Sequence, residues 1–270
     1  ALPQTSMSEE DRKERGIRDR LLEINKIAAT YYYRQLRSEN GKAGLDYLKK
    51  RELSDSTINS FGLGYATQST GNLYKLLKDK GYDDDILKES GLFTYERGIH
   101  EKFWNRVIFP IMDINNKVIG FGGRVMGDAK PKYLNSPETR LFDKSRNLYG
   151  LNIARTSRKP NMIICEGYMD VISMHQAGFN QAVASLGTAL TPGHARLLKR
   201  YTDNVLITYD SDEAGVKAAL RAIPILKEAG LSTKVINMRP YKDPDEFIKA
   251  MGAEAFQERI DNCRDRKSVV

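Results

Sequence analysis

The chain has two cysteines, three histidines and one tryptophan in 270 residues, and each shortage excludes something. Cys165 and Cys263 lie far apart and neither belongs to a Cys-x-x-Cys, so no zinc site is expected in this fragment. Two distant thiols build no disulfide framework, which fits a reducing compartment. Cys165 sits in an apolar run and reads as a small buried hydrophobe. His100, His175 and His194 have no ligand spacing and are assigned no chemistry. No run of about eighteen apolar residues is present, so no membrane span is expected. Ala1 to Arg15 offer neither a signal h-region nor a lipidation motif. We therefore expect a soluble, cytoplasmic protein with no membrane partner. The start at Ala1 and the end in Ser268-Val269-Val270 read as the limits of a piece cut from something longer. Internal repeats and low-complexity tracts are absent.

An apolar fraction of 40% allows sizeable cores, and a net charge of +8 points toward a polyanionic partner. Ile17, Leu21, Ile24, Ala28 and Tyr31 recur at spacings of four and three, which predicts a helix over 17–37. Shorter helices are expected over 44–50, from Ser54, and over 72–80 and 84–90, the last two ended by Gly81 and Gly91. β-rich runs at 107–113 and 117–125 flank Asn115-Asn116, a hairpin signal. Residues 127–147 read as a polar loop. From Asn161 the rhythm changes: apolar runs at 162–165, 182–186, 205–209 and 234–238 alternate with helical segments over 170–177, 191–201 and 214–229. Such alternation implies a parallel sheet covered on both faces, with working residues at the carboxyl ends of its strands.

Acidic residues stand at those ends. Glu166 follows the first run and Asp170 opens the next helix; Asp210 and Asp212 follow the third; Asp243 and Asp245 come shortly after the fourth. Taken singly, each has an alternative reading as a helix N-cap or first-turn acid. Taken together they conflict. Neighbouring parallel strands lie about 4.8 Å apart, and carboxylates roughly 5 Å apart repel by about 3 kcal/mol per pair at an effective dielectric near 20. Protons or bound cations must offset that repulsion. An all-oxygen set with no histidine nearby suits Mg²⁺ or Mn²⁺.

Glu166-Gly167-Tyr168-Met169-Asp170 and Asp210-Ser211-Asp212 resemble the two signature segments of the Toprim domain, a superfamily of primases, topoisomerases, nucleases and recombination proteins. Lys132-Tyr133-Leu134-Asn135-Ser136-Pro137-Glu138-Thr139, with Phe142-Asp143-Lys144, Arg106 to Ile111 and Ile119 to Arg124, is similar to the catalytic core of bacterial DnaG-type primases. The resemblance runs from about Ile17 to about Phe256. It implies an α/β architecture: a basic, mixed α/β N-terminal subdomain over 1–155, a Toprim domain over 156–246, and the truncated start of a helical C-terminal subdomain over 247–270.

The resemblance also implies RNA primer synthesis from ribonucleoside triphosphates on a single-stranded DNA template, yielding an RNA–DNA hybrid at the bacterial replication fork. Glu166, Asp210 and Asp212 match the family's catalytic and metal-binding acids, with Asp170, Asp243 and Asp245 as further acids of the metal site. Whether Glu166 is a base or a ligand stays open. Arg124, Lys132 and Lys144 are the first candidates for phosphate binding, joined by Arg146; Asn135, Arg51 and Arg106 are secondary nucleotide or template candidates. Trp104 is read as a core residue, with stacking on a single-stranded base as the alternative. The zinc-binding domain and the helicase-interacting domain of full-length primases have no counterpart in this chain, so helicase coupling is expected to reside outside it. The competing readings are a topoisomerase, a nuclease, or a non-catalytic nucleotide- or nucleic-acid-binding module.

Overall fold

The computed structural model describes residues 8–265, and the chain divides into two compact units. The first comprises residues up to Arg51 with Gly62–Ile111 and Lys117–Asp143; the second comprises Glu52–Phe61, Met112–Asn116 and residues from Lys144 onward.

In the first unit the helix Glu9–Leu36 begins eight residues before the apolar stripe does. Its start is fixed by polar chemistry instead. The Asp11 N–H donates to Ser8 Oγ at 3.1 Å, Asp11 returns an acceptor to Ser8, and Glu9, Glu10 and Asp11 complement the helix dipole. Leu21, Ile24, Ala28, Tyr32 and Leu36 form its buried face. The core beneath them is aromatic: the Tyr32 ring meets Phe121 and Phe103 edge-on at 5.6 and 6.4 Å. The accompanying sheet has the strand order Gly64–Ala66, Arg106–Met112, Val118–Val125, Tyr133–Asn135. Short helices Asn72–Asp79 and Asp84–Glu89 complete this unit, followed by Gly81 and Gly91 at φ 89° and 71°.

The expected loop at 127–147 is not wholly a loop. Tyr133–Asn135 forms a strand antiparallel to Val118–Val125, pairing Gly122 with Asn135 and Arg124 with Tyr133. Three residues are too few to show a period, and Phe142, fully buried, anchors the rest of the stretch. Gly120 and Gly123 serve packing. A Cβ on Gly123 would meet the Phe103 ring at 2.8 Å and Arg106 Cδ at 3.0 Å.

The second unit holds a parallel sheet in the order Ser232–Val235, Asn204–Ile207, Met162–Cys165, Ala182–Ala184. Helices Tyr168–Gln176, Pro192–Lys199 and Glu213–Glu228 connect the strands. Ile163, Ile164, Cys165, Val183 and Ile207 are fully buried, as continuous apolar runs in a covered sheet require. Three strand ends differ from the sequence reading, the second strand stopping at Ala184 and not at 186. The third strand is regular to Ile207; Thr208 N–H still donates to Ile164 O, at 2.9 Å, but past it Asp210 N–H turns to the Glu166 side chain. The fourth runs over Ser232–Val235, and Ile236 and Met238 are buried in irregular chain beyond it. The final helix, Pro244–Asp265, breaks at Gly252 (φ 87°) and buries Phe247, Phe256 and Ile260, with Phe256 edge-on to Phe179 at 4.9 Å. No helix among the described residues is long and apolar enough to cross a membrane.

Candidate metal centre

Register brings the acids together. Met162, Ile163 and Ile164 lie opposite Val205, Leu206 and Ile207, so the chain leaves both strands at the same edge with Glu166 and Asp210 side by side. Asp210 N–H donates to Glu166 Oε1 at 3.0 Å. Glu166 Oε2 has no hydrogen-bond partner among the described residues. Asp170, in the first turn of Tyr168–Gln176, accepts from Gly167 N–H at 3.2 Å. Asp212 is the N-cap of Glu213–Glu228: its Oδ1 accepts from Gly215 N–H at 2.9 Å, and the residue is exposed. Asp243 Oδ1 accepts from Glu246 N–H at 2.9 Å. Asp245 is nearly fully buried and paired with Lys249 at 3.0 Å.

The proximity has an electrostatic cost, visible in the proton affinities. Burial and then the charges of Asp243 and Asp210 raise the Asp170 carboxyl to about 7. Glu166 is raised by burial and by Asp210, and Asp243 by burial despite the Glu246 amide that favours its charged form. A group of acids that resists losing its protons is one that a cation would stabilise. The protein supplies one partial answer itself, with the Lys242 ammonium 3.1 Å from Asp210 Oδ2. The Lys242 backbone is fixed on both sides, its carbonyl accepting from Ser211 N–H at 2.7 Å and its N–H donating to Glu246 Oε2 at 3.0 Å.

The residues fit a hard divalent cation. Their donors are carboxylate oxygens without thiol or imidazole, and their charge is under-compensated. Among the described residues no three such side chains converge as a ready-made cage.

Lys242 and Gly215 are the two parts of this centre that the sequence reading missed. A Cβ at Gly215 would lie 2.1 Å from Asp210 O and 2.8 Å from Glu166 Oε1, so only glycine lets the helix start this close to both acids. Lys242 has an expected consequence. Lys242→Met removes an ammonium competing for Asp210 and should tighten divalent-cation binding about two- to fivefold, as fits a half-exposed ion pair. Titration with Mn²⁺ followed by electron paramagnetic resonance reads this directly; an unchanged or weaker affinity contradicts it.

A cleft of about 280 Å³ opens beside Glu166, walled by Thr188, Tyr209, Ala214, Ala218 and Arg221 among others. In the same unit the N-terminus of Pro192–Lys199 pins the 144–146 segment. Thr191 Oγ1 donates to Ser145 O at 2.6 Å, and His194 Nε2 lies 2.7 Å from Lys144 O. Lys144 is half-buried and Arg146 exposed. His194 is thus a structural residue, as is His175, 2.8 Å from Ala182 O.

The other cations belong to the first unit. Arg124 and Asn135 share a face of the Val118–Val125 and Tyr133–Asn135 pair by strand alternation. Arg124 stacks its guanidinium on the Tyr47 ring at 4.5 Å. Lys132 is exposed, and Arg51 caps the C-terminus of the helix Lys42–Lys50. Arg106 is 6% exposed and donates from Nη1 to Gly123 O at 3.1 Å and Lys132 O at 3.4 Å, which makes it a brace of the sheet and the weakest phosphate candidate. Trp104 is not a core residue: it is 44% exposed.

Parallel strands whose carboxyl edge carries Glu166 and, one strand over, Asp210 and Asp212 define a Toprim fold, and the sequence model described as Toprim-like matches residues 163–248. The model described as DNA primase catalytic core, N-terminal domain, matches residues 31–155. The DNA primase of Clostridium acetobutylicum is 50% identical over 247 residues, which are 91% of this chain and 41% of that protein. A solved structure described as the DnaG primase catalytic domain bound to ssDNA is 37% identical, covers 92% of this chain and is itself covered to 80%, with a TM-score of 0.85. The RNA polymerase domain of Mycobacterium tuberculosis primase DnaG is 32% identical, with coverage of 90% and 83% and a TM-score of 0.84. The chain belongs to the DnaG-type DNA primase family and represents its catalytic core. It spans about two-fifths of the length of the Clostridium relative.

Proposed function

We propose that this chain is the polymerising core of a primase: it joins ribonucleotides into an RNA primer on single-stranded DNA. The observation that carries this is the contact between Asp210 N–H and Glu166 Oε1 across adjacent parallel strands, with Asp210 close enough to raise the proton affinity of both Asp170 and Asp243. Glu166, Asp170, Asp210, Asp212, Asp243 and Asp245 form the acidic set, and Mg²⁺ or Mn²⁺ is the ion it takes. Such an ion supplies charge neutralisation for a triphosphate and activation of an attacking hydroxyl.

The chain's own groups have separable tasks. The bond from Asp210 N–H fixes the Glu166 carboxylate and leaves Oε2 to face the substrate hydroxyl or a cation. Asp212 caps its helix with one oxygen and keeps the other for ligation. Lys242 holds Asp210 in place and would yield that carboxylate to a bound cation. Arg124, Lys132, Lys144 and Arg146, with Asn135, Arg51 and Arg106 in lesser roles, bind triphosphate and template phosphates. Positioning and charge stabilisation suffice for an in-line phosphoryl transfer of this kind. The domain division at about residues 155 and 246, a cytoplasmic site of action at the bacterial replication fork, an RNA–DNA hybrid product and helicase coupling through a domain outside this chain complete the reading. A relative's catalytic domain described as bound to ssDNA supports the choice of template.

Incorporation of labelled ribonucleotides on single-stranded DNA, with Glu166→Gln as control, is the test. A nuclease would cleave the template without needing triphosphates, a topoisomerase would relax supercoiled DNA, and a binding module would do neither. Binding to a short single-stranded oligomer should be weak and fall steeply between about 50 and 200 mM salt, with Lys132→Ala lowering the slope of log K on log salt by about one. Tight binding indifferent to salt would count against the basic surface described above.

A further inference from the structure

Trp104 is the only tryptophan of the chain, and the fold keeps it out of the core with 44% of its surface exposed. Its indole N–H donates to Gln68 O at 2.8 Å, so its one polar group is satisfied and its ring orientation set. The backbone on either side is equally fixed. Phe103 is buried at 1% exposure. Asn105 donates its N–H to Thr67 O at 3.2 Å, accepts from Met126 N–H at 2.8 Å, and returns its side-chain amide to Met126 O at 3.1 Å. A large aromatic face held this firmly loses little conformational freedom when something lies against it.

The same backbone network leads to cations. Met126 follows Arg124 and Val125, and Val125 N–H donates to Lys132 O at 3.0 Å. Lys130 and Lys132 are exposed on the segment between. All these residues belong to the first unit. The surface beside the ring is polar, since Gln68, Ser69 and Thr70 are exposed there. A protein partner would call for a contiguous apolar patch, whereas the exposed residues that the backbone network ties to Trp104, Gln68, Ser69, Thr70, Lys130 and Lys132, are polar or cationic. An unpaired base beside a phosphate backbone answers to both features. A base inside a duplex is stacked on both neighbours, so a duplex offers faces only at its two ends.

We propose that Trp104 is a stacking platform for an unpaired base of a nucleic-acid strand whose phosphates run along Arg124, Lys130 and Lys132. This rests on the template-binding reading above and adds to it a specific base-contacting residue and a preference for unpaired over duplex strands.

With one tryptophan, the emission of the whole chain reports on this side chain. Titration of wild-type protein with a short oligothymidylate should quench it, and a duplex of the same length should quench it much less. Trp104→Ala should weaken single-strand binding about five- to tenfold, measured by anisotropy of a labelled oligomer, with Trp104→Phe retaining most of the affinity. The salt slope should be the same in Trp104→Ala as in wild type, because stacking releases no counterions, whereas Lys132→Ala should lower it. If the oligomer binds by anisotropy while emission stays constant and Trp104→Ala binds like wild type, the stacking role is wrong and the template-binding reading stands. If no single strand binds at all, both are overturned.

Discussion

Glu166→Gln is expected to abolish template-dependent ribonucleotide incorporation, by at least about 10³-fold, while leaving the protein as stable or slightly more so. The two halves of this outcome come from the same geometry. The amide oxygen of glutamine can still accept from Asp210 N–H, which now uses Glu166 Oε1 at 3.0 Å, so the edge of the sheet keeps its shape. What disappears is a negative charge that burial and Asp210 already disfavour. Its removal lessens repulsion among the acids and leaves Oε2's position unable to take a proton or bind a cation strongly. Primer synthesis and thermal melting, measured on one preparation, separate this from misfolding. A variant that melts much earlier than wild type would mean that Glu166 serves the fold; one that still synthesises primers would remove it from the chemistry.

Asp170→Asn is expected to stabilise the parallel-sheet unit at pH 8 by about 2–4 kcal/mol, roughly 5–10 °C in melting temperature. Burial, with Asp243 and Asp210, lifts this carboxyl to about 7 from its ordinary 3.8. Between those values the folded chain holds a proton that the unfolded chain has released. Stability therefore declines as pH rises through that window, with the full penalty above about pH 7 and none below about pH 4. The gain from asparagine should follow the same course, absent at pH 4 and complete at pH 8. Asparagine can keep the bond from Gly167 N–H, so the helix start survives. A divalent cation should raise the melting temperature of wild type at pH 8 more than that of Asp170→Asn. An advantage for the variant that is constant across pH would show that packing, and not charge, is responsible.

The acids were legible in the sequence because their placement depends on topology alone. Short apolar runs alternating with helices specify a parallel sheet, and residues just after each run must meet at one edge. Glu166 and Asp210 are found there in contact. Lys242 was not legible, because a lysine between Tyr241 and Asp243 is indistinguishable from any surface charge until the loop folds back to bring it 3.1 Å from Asp210. Gly215 was hidden for a similar reason: its need arises from a carbonyl and a carboxylate five and more residues away. The strand Tyr133–Asn135 was too short for a period of two to register. Trp104 was misplaced by composition. A lone tryptophan among Phe103 and Val107 suggests a core, but the left-handed Asn105 (φ 47°) changes the direction of the chain between them. Local pattern thus settled the scaffold and the acidic edge, while the contacts that tune the centre depended on loops.

The most direct measurement is anomalous diffraction at the manganese edge from crystals soaked with MnCl₂ and a ribonucleoside triphosphate. Density is expected within coordination distance of carboxylate oxygens from Asp210 and at least one of Glu166 or Asp212, with the Lys242 ammonium displaced and the triphosphate sharing the ion. Manganese bound elsewhere, or a triphosphate seated with these acids untouched, would contradict the account.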